Sequence, residues 1–399
     1  MTDYATLVLQ SGREKSVHRR HPWLFSGSIA KVEGQPQPGD TVDIRSSHGE
    51  RLALGAYAPQ SRTAVRIWTW DLDERIDEAF ILGRMRASIA RREAFVRQDG
   101  VTAYREIFAE SDGFPGLVVD RYGDMRVFQL LSPGPERWRE VIAEELLSAD
   151  GVRAVYERSD SDARAREGLP TRRGLPWGDD TAMRVVIEEH GLKYHVDLQQ
   201  GHKTGFYLDQ RESRKQVLAF KDPGDVLNCF AYTGAFTCCA LAAGARSVVS
   251  VESSAEAIDL AKENLALNRL DGKATRWLEG DVFKELRRFR DAARQFDTII
   301  LDPPRFAATA AQVHRASRGY KDINLLALKL LRPGGRLLTF SCSGGVSASL
   351  FQKIVAGAAL DAEVNAVITG WFAQPEDHPV NIHIPESRYL KGLLLQRID

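Results

Sequence analysis

Beyond about residue 220 the chain alternates short runs of apolar and β-branched residues with stretches of helical periodicity. Candidate strands lie at residues 225–231, 247–252, 274–281, 296–302, 336–342, 364–371 and 393–398, and candidate helices at 234–243, 255–269, 282–294, 316–331 and 347–359. Alternation at this spacing is typical of an α/β fold. Ligands of open α/β sheets bind beyond the carboxyl ends of the strands, so we expect the functional residues there.

The carboxyl ends of five consecutive candidate strands carry polar or small residues. They read Asn228-Cys229-Phe230-Ala231-Tyr232-Thr233-Gly234, Glu252, Gly280-Asp281-Val282, Asp302-Pro303-Pro304 and Ser341-Cys342-Ser343. Gly234 would open a helix whose free N–H groups favour a polar or negative ligand. Glu252 lies 24 residues after Asn228 and suits ribose hydroxyls, and Asp281 with Val282 suits an adenine. Each end could be an ordinary loop start, but five in register predict one shared ligand site. No GxGxxG motif is present, which disfavours a nicotinamide enzyme.

The first 70 residues or so contain short β-like runs separated by turn signals, which indicate a small barrel or sandwich. Nine basic and six acidic residues give this segment a net charge of +3. Its basic stretch includes Arg19 and Arg20 and precedes Trp23 and Phe25. Basic side chains beside aromatic rings suit phosphate contact and base stacking. A solvated turn with Trp23 and Phe25 in the core is the alternative.

Residues 74–190 indicate a small α+β module. It begins with a helix at 74–97, whose arginines, Arg91 and Arg92 among them, we expect to be solvated. Residues 158–182 hold five arginines and few apolar residues. They predict a long polar loop, with a loop that faces nucleic acid as the more specific alternative. Residues 185–198 predict a hairpin.

The length of 399 residues predicts two or three domains. The 54 basic and 54 acidic residues cancel, so bulk charge alone would not hold the chain on nucleic acid or an acidic membrane. A local basic run is nevertheless present, because residues 302–321 carry a net charge of +3. Such a run suits phosphate contacts, and a solvated helix is the alternative.

Cysteine use and hydropathy exclude several other classes of protein. The four cysteines all lie beyond residue 228 and form no CxxC pair, so we expect neither a disulfide framework nor a metal site. The sequence has no apolar run of 18 residues and no signal-peptide pattern at its start. We therefore expect a reduced, cytoplasmic protein with no membrane partner.

The order of a turn glycine, an acid, an Asp-Val pair and a DPP motif resembles class I S-adenosylmethionine-dependent methyltransferases. Over nearly its whole length the chain resembles the bacterial ribosomal RNA large subunit methyltransferase I family, which makes 5-methylcytosine in 23S rRNA. The matching segments are residues 20–27, 110–122, 203–211, 230–236, 302–306, 341–343, 378–380 and 385–387. Two departures are His202, where the family usually has Gln, and Glu252, where it often has Asp.

The resemblance implies an α/β chain of three domains. They are a β-rich, RNA-binding PUA-like domain at 1–72, a central α+β domain with a linker helix at 73–190, and a Rossmann-like class I methyltransferase domain at 191–399. The cofactor would be S-adenosylmethionine. The partner would be 23S rRNA or a large-subunit assembly intermediate, and the sequence leaves open whether the chain forms a homodimer.

The resemblance also implies roles for individual residues. Cys342 would be the catalytic nucleophile, and Asp302 would hold the cytosine; the alternative for Cys342 is a small buried apolar residue. The expected cofactor contacts are Lys203, Thr204, Phe206, Asp209, Arg211, Asn228, Phe230, Tyr232, Thr233, Gly234, Glu252, Ser253, Asp281, Val282, Asp302 and Pro303. The expected RNA contacts are Arg19, Arg20, Trp23, Arg305, Arg315, Arg318 and Lys321.

Two other functions remain open at this level. DPP-type sites also methylate nitrogens of guanine or adenine, a reaction that needs no cysteine. A chain of this kind could also bind RNA and cofactor without catalysing any reaction.

Overall fold

The computed structural model describes residues 4–178, 183–307 and 310–399. The chain divides into two compact units. The first unit comprises Met1–Ile187, Val196–Leu208 and Glu376–Ser387. The second comprises Glu188–His195, Asp209–Pro375 and Arg388–Asp399.

The first unit opens with a six-stranded sheet in the order β2-β6-β5-β4-β1-β3. Its strands are β1 (Ala5–Leu9), β2 (Trp23–Phe25), β3 (Ile29–Glu33), β4 (Thr41–Arg45), β5 (Arg51–Tyr57) and β6 (Thr63–Thr69), with a short helix, α1 (Lys15–His18). Alternate residues of the strands, such as Leu7, Leu9, Val42 and Ile44, fill one core. Leu24 belongs to that core, but Phe25 is 49% exposed, so its predicted core position is wrong.

A second sheet of the first unit has the order β11-β10-β9-β8-β7. Its strands are β7 (Ala103–Phe108), β8 (Leu117–Tyr122), β9 (Met125–Leu130), β10 (Ala154–Ser159) and β11 (Arg172–Gly178). The helices of this region are α2 (Glu78–Asp99), α3 (Pro133–Arg137), α4 (Arg139–Ser148) and α5 (Ala163–Arg166). Helix α2 begins at Glu78 because the Asp77 carboxylate accepts a hydrogen bond from Phe80 N, and it ends at Gly100, whose φ is 61°.

The arginine-rich segment at 158–182 is not a long polar loop over its described part. It forms the end of β10, helix α5 and strand β11, and residues 179–182 lie outside the described residues. Arg164 is fully buried and donates to Glu136 Oε2 at 2.8 Å. Arg158 donates to Leu198 O at 2.8 Å. These two arginines hold the unit together and are not available to face nucleic acid. Arg92, predicted to be solvated, is likewise buried and paired with Asp112 at 2.7 Å.

A two-stranded sheet, β12 (Arg184–Glu189) with β13 (Leu192–Asp197), confirms the hairpin predicted at 185–198. The left-handed residues His190 and Gly191 form its turn.

The second unit is built on a seven-stranded sheet in the order β16-β15-β14-β17-β18-β20-β19. Its strands are β14 (Asp225–Cys229), β15 (Ser247–Glu252), β16 (Thr275–Glu279), β17 (Phe296–Leu301), β18 (Leu331–Ser341), β19 (Ala366–Phe372) and β20 (Lys391–Arg397). All neighbours from β16 to β18 pair in parallel, and β20 is antiparallel to both of its neighbours. The helices are α6 (Arg211–Leu218), α7 (Ala235–Ala242), α8 (Ala255–Leu267), α9 (Val282–Asp291), α10 (Val313–Leu330) and α11 (Ala348–Ala362).

Two consequences of this sheet position the site. Its parallel strands are buried apolar runs, and Leu227, Val249, Ile299 and Leu337 are each no more than 2% exposed. The strand order reverses between β14 and β17, which is where open α/β sheets bind ligands. In the described part of the chain, no helix combines the length and apolar character needed to cross a membrane.

Gly234, the residue before α7, lies at a tightly packed point of the carboxyl edge of the sheet. Its φ is +77°, and an added Cβ would lie 2.9 Å from Ala261 Cβ and 3.0 Å from the Trp277 ring. Gly244, just after the same helix, has a φ of +92° but nothing within 4 Å of an added Cβ. We expect Gly234→Ala to lower the free energy of unfolding by about 1–3 kcal/mol more than Gly244→Ala does, since only the former adds crowding to backbone strain. Urea denaturation of both variants measures the difference, and equal losses would contradict close packing at Gly234.

Candidate active site

The loop after β14 is bent by residues in left-handed conformations. Phe230, Tyr232 and Gly234 have φ values of 60°, 47° and 77°. For non-glycine residues such values cost free energy and cluster at functional sites. Asn228, in β14, is 1% exposed and donates from Nδ2 to Thr237 Oγ1 at 2.9 Å. The predicted glycine turn is therefore a strained loop that opens α7.

Glu252, the last residue of β15, is held in a fixed orientation. Its Oε2 accepts a hydrogen bond from Tyr232 N at 2.8 Å, and its Oε1 accepts bonds from Ser253 N at 2.7 Å and Ser254 N at 3.1 Å. The carboxylate thus connects the ends of β14 and β15. Oε1 also accepts from Ser253 Oγ at 3.1 Å, so its lone pairs are used, whereas Oε2 accepts one described bond and can accept another, from a ribose hydroxyl.

Asp281 and Val282 lie beyond β16, where α9 begins. The Asp281 carboxylate is exposed and caps α9 by accepting from Lys284 N at 3.0 Å. Val282 is buried in the core of the second unit. The parallel register of β14, β15 and β16 brings Asp281 to the same edge of the sheet as Glu252.

Asp302 follows β17 and is positioned by a glutamine. Gln210 Nε2 donates to Asp302 Oδ1 at 2.8 Å, although the two residues are 92 positions apart. Gln210 is 2% exposed, and Pro303 beside the aspartate is also buried. Gln210 lies within the matching segment 203–211, but no local sequence pattern marks it as a functional residue.

Cys342 immediately follows β18, the strand that pairs in parallel with β17. It is partly exposed, whereas Cys229, Cys238 and Cys239 are no more than 2% exposed and belong to the core. Burial raises the pKa of the Cys229 and Cys238 thiols well above the ordinary range and that of Cys239 to about 12. Of the four thiols, Cys342 is the one at the carboxyl edge of the sheet and within reach of solvent.

The expected cofactor contacts in the segment 203–211 are divided between the two units. Thr204 and Phe206 are buried in the first unit, where Thr204 Oγ1 donates to Asp120 Oδ2 at 2.6 Å and Phe206 N donates to Tyr122 Oη at 3.2 Å. Lys203 is exposed, with its Nζ 4.5 Å from the centre of the Tyr207 ring. His202, which departs from the family pattern, lies with Nδ1 3.2 Å from Tyr207 Oη.

The other two residues of that segment lie in the second unit and are buried there. Asp209 Oδ2 accepts a hydrogen bond from Tyr389 Oη at 2.6 Å. Arg211 has no exposed surface. Tyr389, too, is a residue that no local sequence pattern marks as functional.

The predicted RNA-contacting residues are mostly exposed. In the second unit Arg305, Arg315 and Arg318 are exposed, but Lys321 forms an ion pair with Asp361 at 2.7 Å. The first unit exposes Arg19 and Arg20, and the Arg20 guanidinium lies 5.8 Å from the centre of the Trp70 ring. Trp23 is half-buried and donates from Nε1 to Glu110 Oε1 at 2.9 Å.

The chemistry of the strand ends in the second unit fits a ligand with several polar groups. Among the buried polar atoms that have no hydrogen-bond partner within the described part of the chain are Asn228 Oδ1, Thr233 Oγ1 and Gln210 Oε1. Buried polar atoms normally have partners, so their state suits a bound molecule. S-adenosylmethionine would suit these atoms, because its amino group can donate to an amide oxygen, its carboxylate can accept from Thr233 Oγ1, and a ribose hydroxyl can donate to Glu252.

Comparison with known proteins agrees with this geometry. A PUA-like domain model matches residues 7–70, and a model of S-adenosylmethionine-dependent methyltransferases matches residues 177–362. Ribosomal RNA large subunit methyltransferase I of Shewanella denitrificans is 50% identical to this chain over 389 residues, covering 97% of this chain and 98% of that protein. The enzyme of the same name from Aeromonas salmonicida is 49% identical over 390 residues, 98% of each chain. The chain belongs to the ribosomal RNA large subunit methyltransferase I family.

Solved structures show the same fold as this family member. A Streptococcus mutans protein described as a SAM-dependent methyltransferase superposes with a TM-score of 0.84 at 23% identity, covering 98% of this chain and 99% of that one. A methyltransferase solved in complex with SAH superposes with a TM-score of 0.85, also at 23% identity and with the same coverage.

The expected fold class and cofactor are therefore confirmed. The chain has a PUA-like N-terminal domain and a C-terminal methyltransferase domain, and it is an S-adenosylmethionine-dependent methyltransferase of large-subunit ribosomal RNA.

Replacement of Glu252 tests whether its carboxylate forms a hydrogen bond with the ribose of the cofactor. We expect Glu252→Ala to weaken the binding of S-adenosylhomocysteine at least tenfold, because hydrogen bonds to a charged acceptor contribute about 1.5–3 kcal/mol each. Titration calorimetry measures the affinity. Asp259→Ala is the matched control, since Asp259 is an exposed acid on α8 that pairs only with Lys262 among the contacts described. Equal affinity of the two variants would remove Glu252 from the cofactor site.

Proposed function

We propose that this methyltransferase forms 5-methylcytosine in 23S rRNA through a covalent adduct between Cys342 and C6 of the target cytosine. The observation that carries the proposal is the position of Cys342. Its partly exposed thiol follows β18, beside the end of β17 where Asp302 lies, while the other three thiols are buried. A nitrogen methyltransferase would need no thiol at this place.

The chemistry follows from the electronic structure of cytosine. C5 is a poor nucleophile until a thiolate adds to C6 and turns the ring into an enamine. Bound S-adenosylmethionine supplies an electrophilic methyl group. Loss of the proton from C5 then restores the double bond and expels the Cys342 thiolate, so one difficult step is divided into easier ones.

Asp302 would hold the cytosine through its amino group or N3, which leaves the ring more electrophilic. The bond from Gln210 Nε2 to Asp302 Oδ1 orients the carboxylate. We therefore assign Gln210 a supporting role that orients Asp302. In the same proposal, Asp209 and Arg211 contribute to the cofactor site together with the strand-end residues of the second unit. Lys203, Thr204 and Phe206, in the first unit, are proposed as cofactor contacts on the family resemblance alone.

The target base must leave any stack to reach Cys342, so the substrate is a flipped or single-stranded cytosine. The exposed Arg305, Arg315 and Arg318 would contact phosphates near the site, and Arg19, Arg20 and Trp23 would contact RNA from the PUA-like domain. Lys321 contributes less, because Asp361 neutralises it.

We propose that the substrate is free 23S rRNA or a large-subunit assembly intermediate, and that the reaction takes place in the cytoplasm. Sedimentation equilibrium tests for a homodimer, whose mass would be twice the 44.5 kDa of one chain.

A mechanism-based trap tests the cysteine adduct. RNA that contains 5-fluorocytidine at the target cannot lose a C5 proton, so the enzyme should stay covalently attached to it in the presence of S-adenosylmethionine. We expect a complex that survives denaturing electrophoresis with the wild-type protein and none with Cys342→Ala.

The control for the trap is Cys238→Ala, which removes a core thiol and should still form the complex. Binding of S-adenosylhomocysteine by Cys342→Ala verifies an intact cofactor site. Methyl transfer to ribosomal RNA by Cys342→Ala at the wild-type rate would refute the adduct, and a methylated guanine or adenine in the product would establish nitrogen methylation instead.

The exposed arginines of α10 allow a separate test of RNA binding. We expect the double variant Arg315→Gln/Arg318→Gln to bind RNA more weakly and to reduce the slope of log affinity against log salt by about 1.4, since each phosphate contact to a single strand contributes about 0.7. The control is the double variant Arg269→Gln/Arg276→Gln, which removes two exposed arginines near the amino end of β16. Unchanged salt dependence in both variants would show that α10 does not touch RNA.

A further inference from the structure

Lys391, the first residue of β20, is a buried cation next to the candidate nucleophile. The residue is 6% exposed. Its ammonium donates to Ser343 O at 2.6 Å and to Val346 O at 2.8 Å. Burial of an ammonium costs free energy, and few lysines are buried without a specific set of partners. The partners here are the backbone carbonyls of the loop that follows Cys342.

The sheet register places Lys391 beside the thiol. Strand β20 runs antiparallel to β18, and Lys391 pairs with Ser341, the residue before Cys342. Val346 N also donates to Ser343 O at 3.1 Å, which closes a turn immediately after the cysteine. The ammonium bonds to both ends of this turn, and it therefore fixes the backbone that carries Cys342.

The side chain of Ser343 holds the same loop from the other side. Its hydroxyl accepts a hydrogen bond from Ala307 N at 3.1 Å and lies 2.9 Å from Tyr320 Oη. Ser343 itself has no exposed surface. With its side chain and its carbonyl both engaged, the loop has little freedom, and the direction of the neighbouring Cys342 side chain is restricted.

The charges around Lys391 favour an anionic thiol. Desolvation lowers the pKa of Lys391 to about 8, attraction to Cys342 opposes that shift, and Arg305 and Arg388 reinforce it by repulsion. The lysine is therefore mainly charged at pH 7 and loses its charge as the pH rises through about 8. A thiolate at Cys342 would be attracted to the Lys391 ammonium, and a nearby cation favours the charged form of a thiol.

We propose that Lys391 is a positioning residue for the reaction: it fixes the loop that carries Cys342 and stabilises the thiolate that attacks the cytosine. The second part rests on the proposed adduct mechanism. The coupling between Lys391 and Cys342 is a property of the protein alone and can be measured without RNA or cofactor.

The test measures the rate at which iodoacetamide alkylates Cys342 as a function of pH, followed by mass spectrometry of the peptide that contains it. In the wild-type protein we expect the midpoint of the profile to lie below about 8.5, the ordinary value for cysteine. Lys391→Gln keeps a hydrogen-bond donor but removes the charge, and it should raise the midpoint by about one unit. Lys391→Arg keeps the charge and should restore most of the shift. The difference in rate between wild type and Lys391→Gln should be largest below pH 8, where Lys391 is charged.

Lys353→Gln, which changes an exposed lysine on α11, is the matched control and should leave the profile unchanged. A wild-type midpoint at or above 8.5 would overturn the proposal, and so would an equal midpoint in a folded Lys391→Gln protein. The midpoint of the wild-type profile decides the proposal even if every variant at position 391 fails to fold.

The 5-fluorocytidine trap separates this proposal from the proposed function. A shifted alkylation profile without a covalent RNA complex would support the coupling and refute the adduct mechanism. A covalent RNA complex with an unshifted profile would support the adduct and refute the role of Lys391.

Discussion

The parallel hydrogen bonding of β14 with β15 and β17, and of β17 with β18, is the constraint on which the site depends. Parallel strands end at the same edge, so Glu252, Asp302 and Cys342 meet there although 90 positions separate the first from the last. The reversal of strand order between β14 and β17 opens the crevice in which a ligand can contact them. The hydrogen bonds of Glu252 to the loop after β14 then fix the geometry of that crevice.

The features that the sequence predicted are those that depend on local pattern. The positions of strand ends follow from hydrophobic runs and turns, and Glu252 and Asp281 are recognisable from where those runs stop. Gln210, Tyr389 and Lys391 escaped prediction because their partners are distant in sequence; the bond from Gln210 to Asp302 spans 92 positions. Lys391 begins the apolar strand β20, at a position where a lysine is ordinarily solvated, and its burial becomes evident only from the antiparallel pairing with β18.

The arginines illustrate the same limit. The sequence around Arg164 predicts a polar loop, yet the Arg164 guanidinium is fully buried against Glu136. In the first unit Arg92 pairs with Asp112, Arg105 with Asp120 and Arg126 with Glu106, all with little exposure. The balance of charge across the chain therefore reflects, in part, ion pairs inside the first unit. Exposed arginines such as Arg315 and Arg318 are then a better guide to an RNA-facing surface than net charge.

Strand β20 comes after β19 in the sequence but lies between β18 and β19 in the sheet. The edge of the sheet beyond β18 therefore cannot assemble in the order in which it is synthesised, and β19 has no partner until β20 is in place. The strands that carry Asn228, Glu252 and Asp302 can pair before that moment, whereas the ammonium beside Cys342 arrives only with β20. Pairing of β20 therefore completes two things at once: the outer edge of the sheet, and the backbone contacts that hold the loop after Cys342.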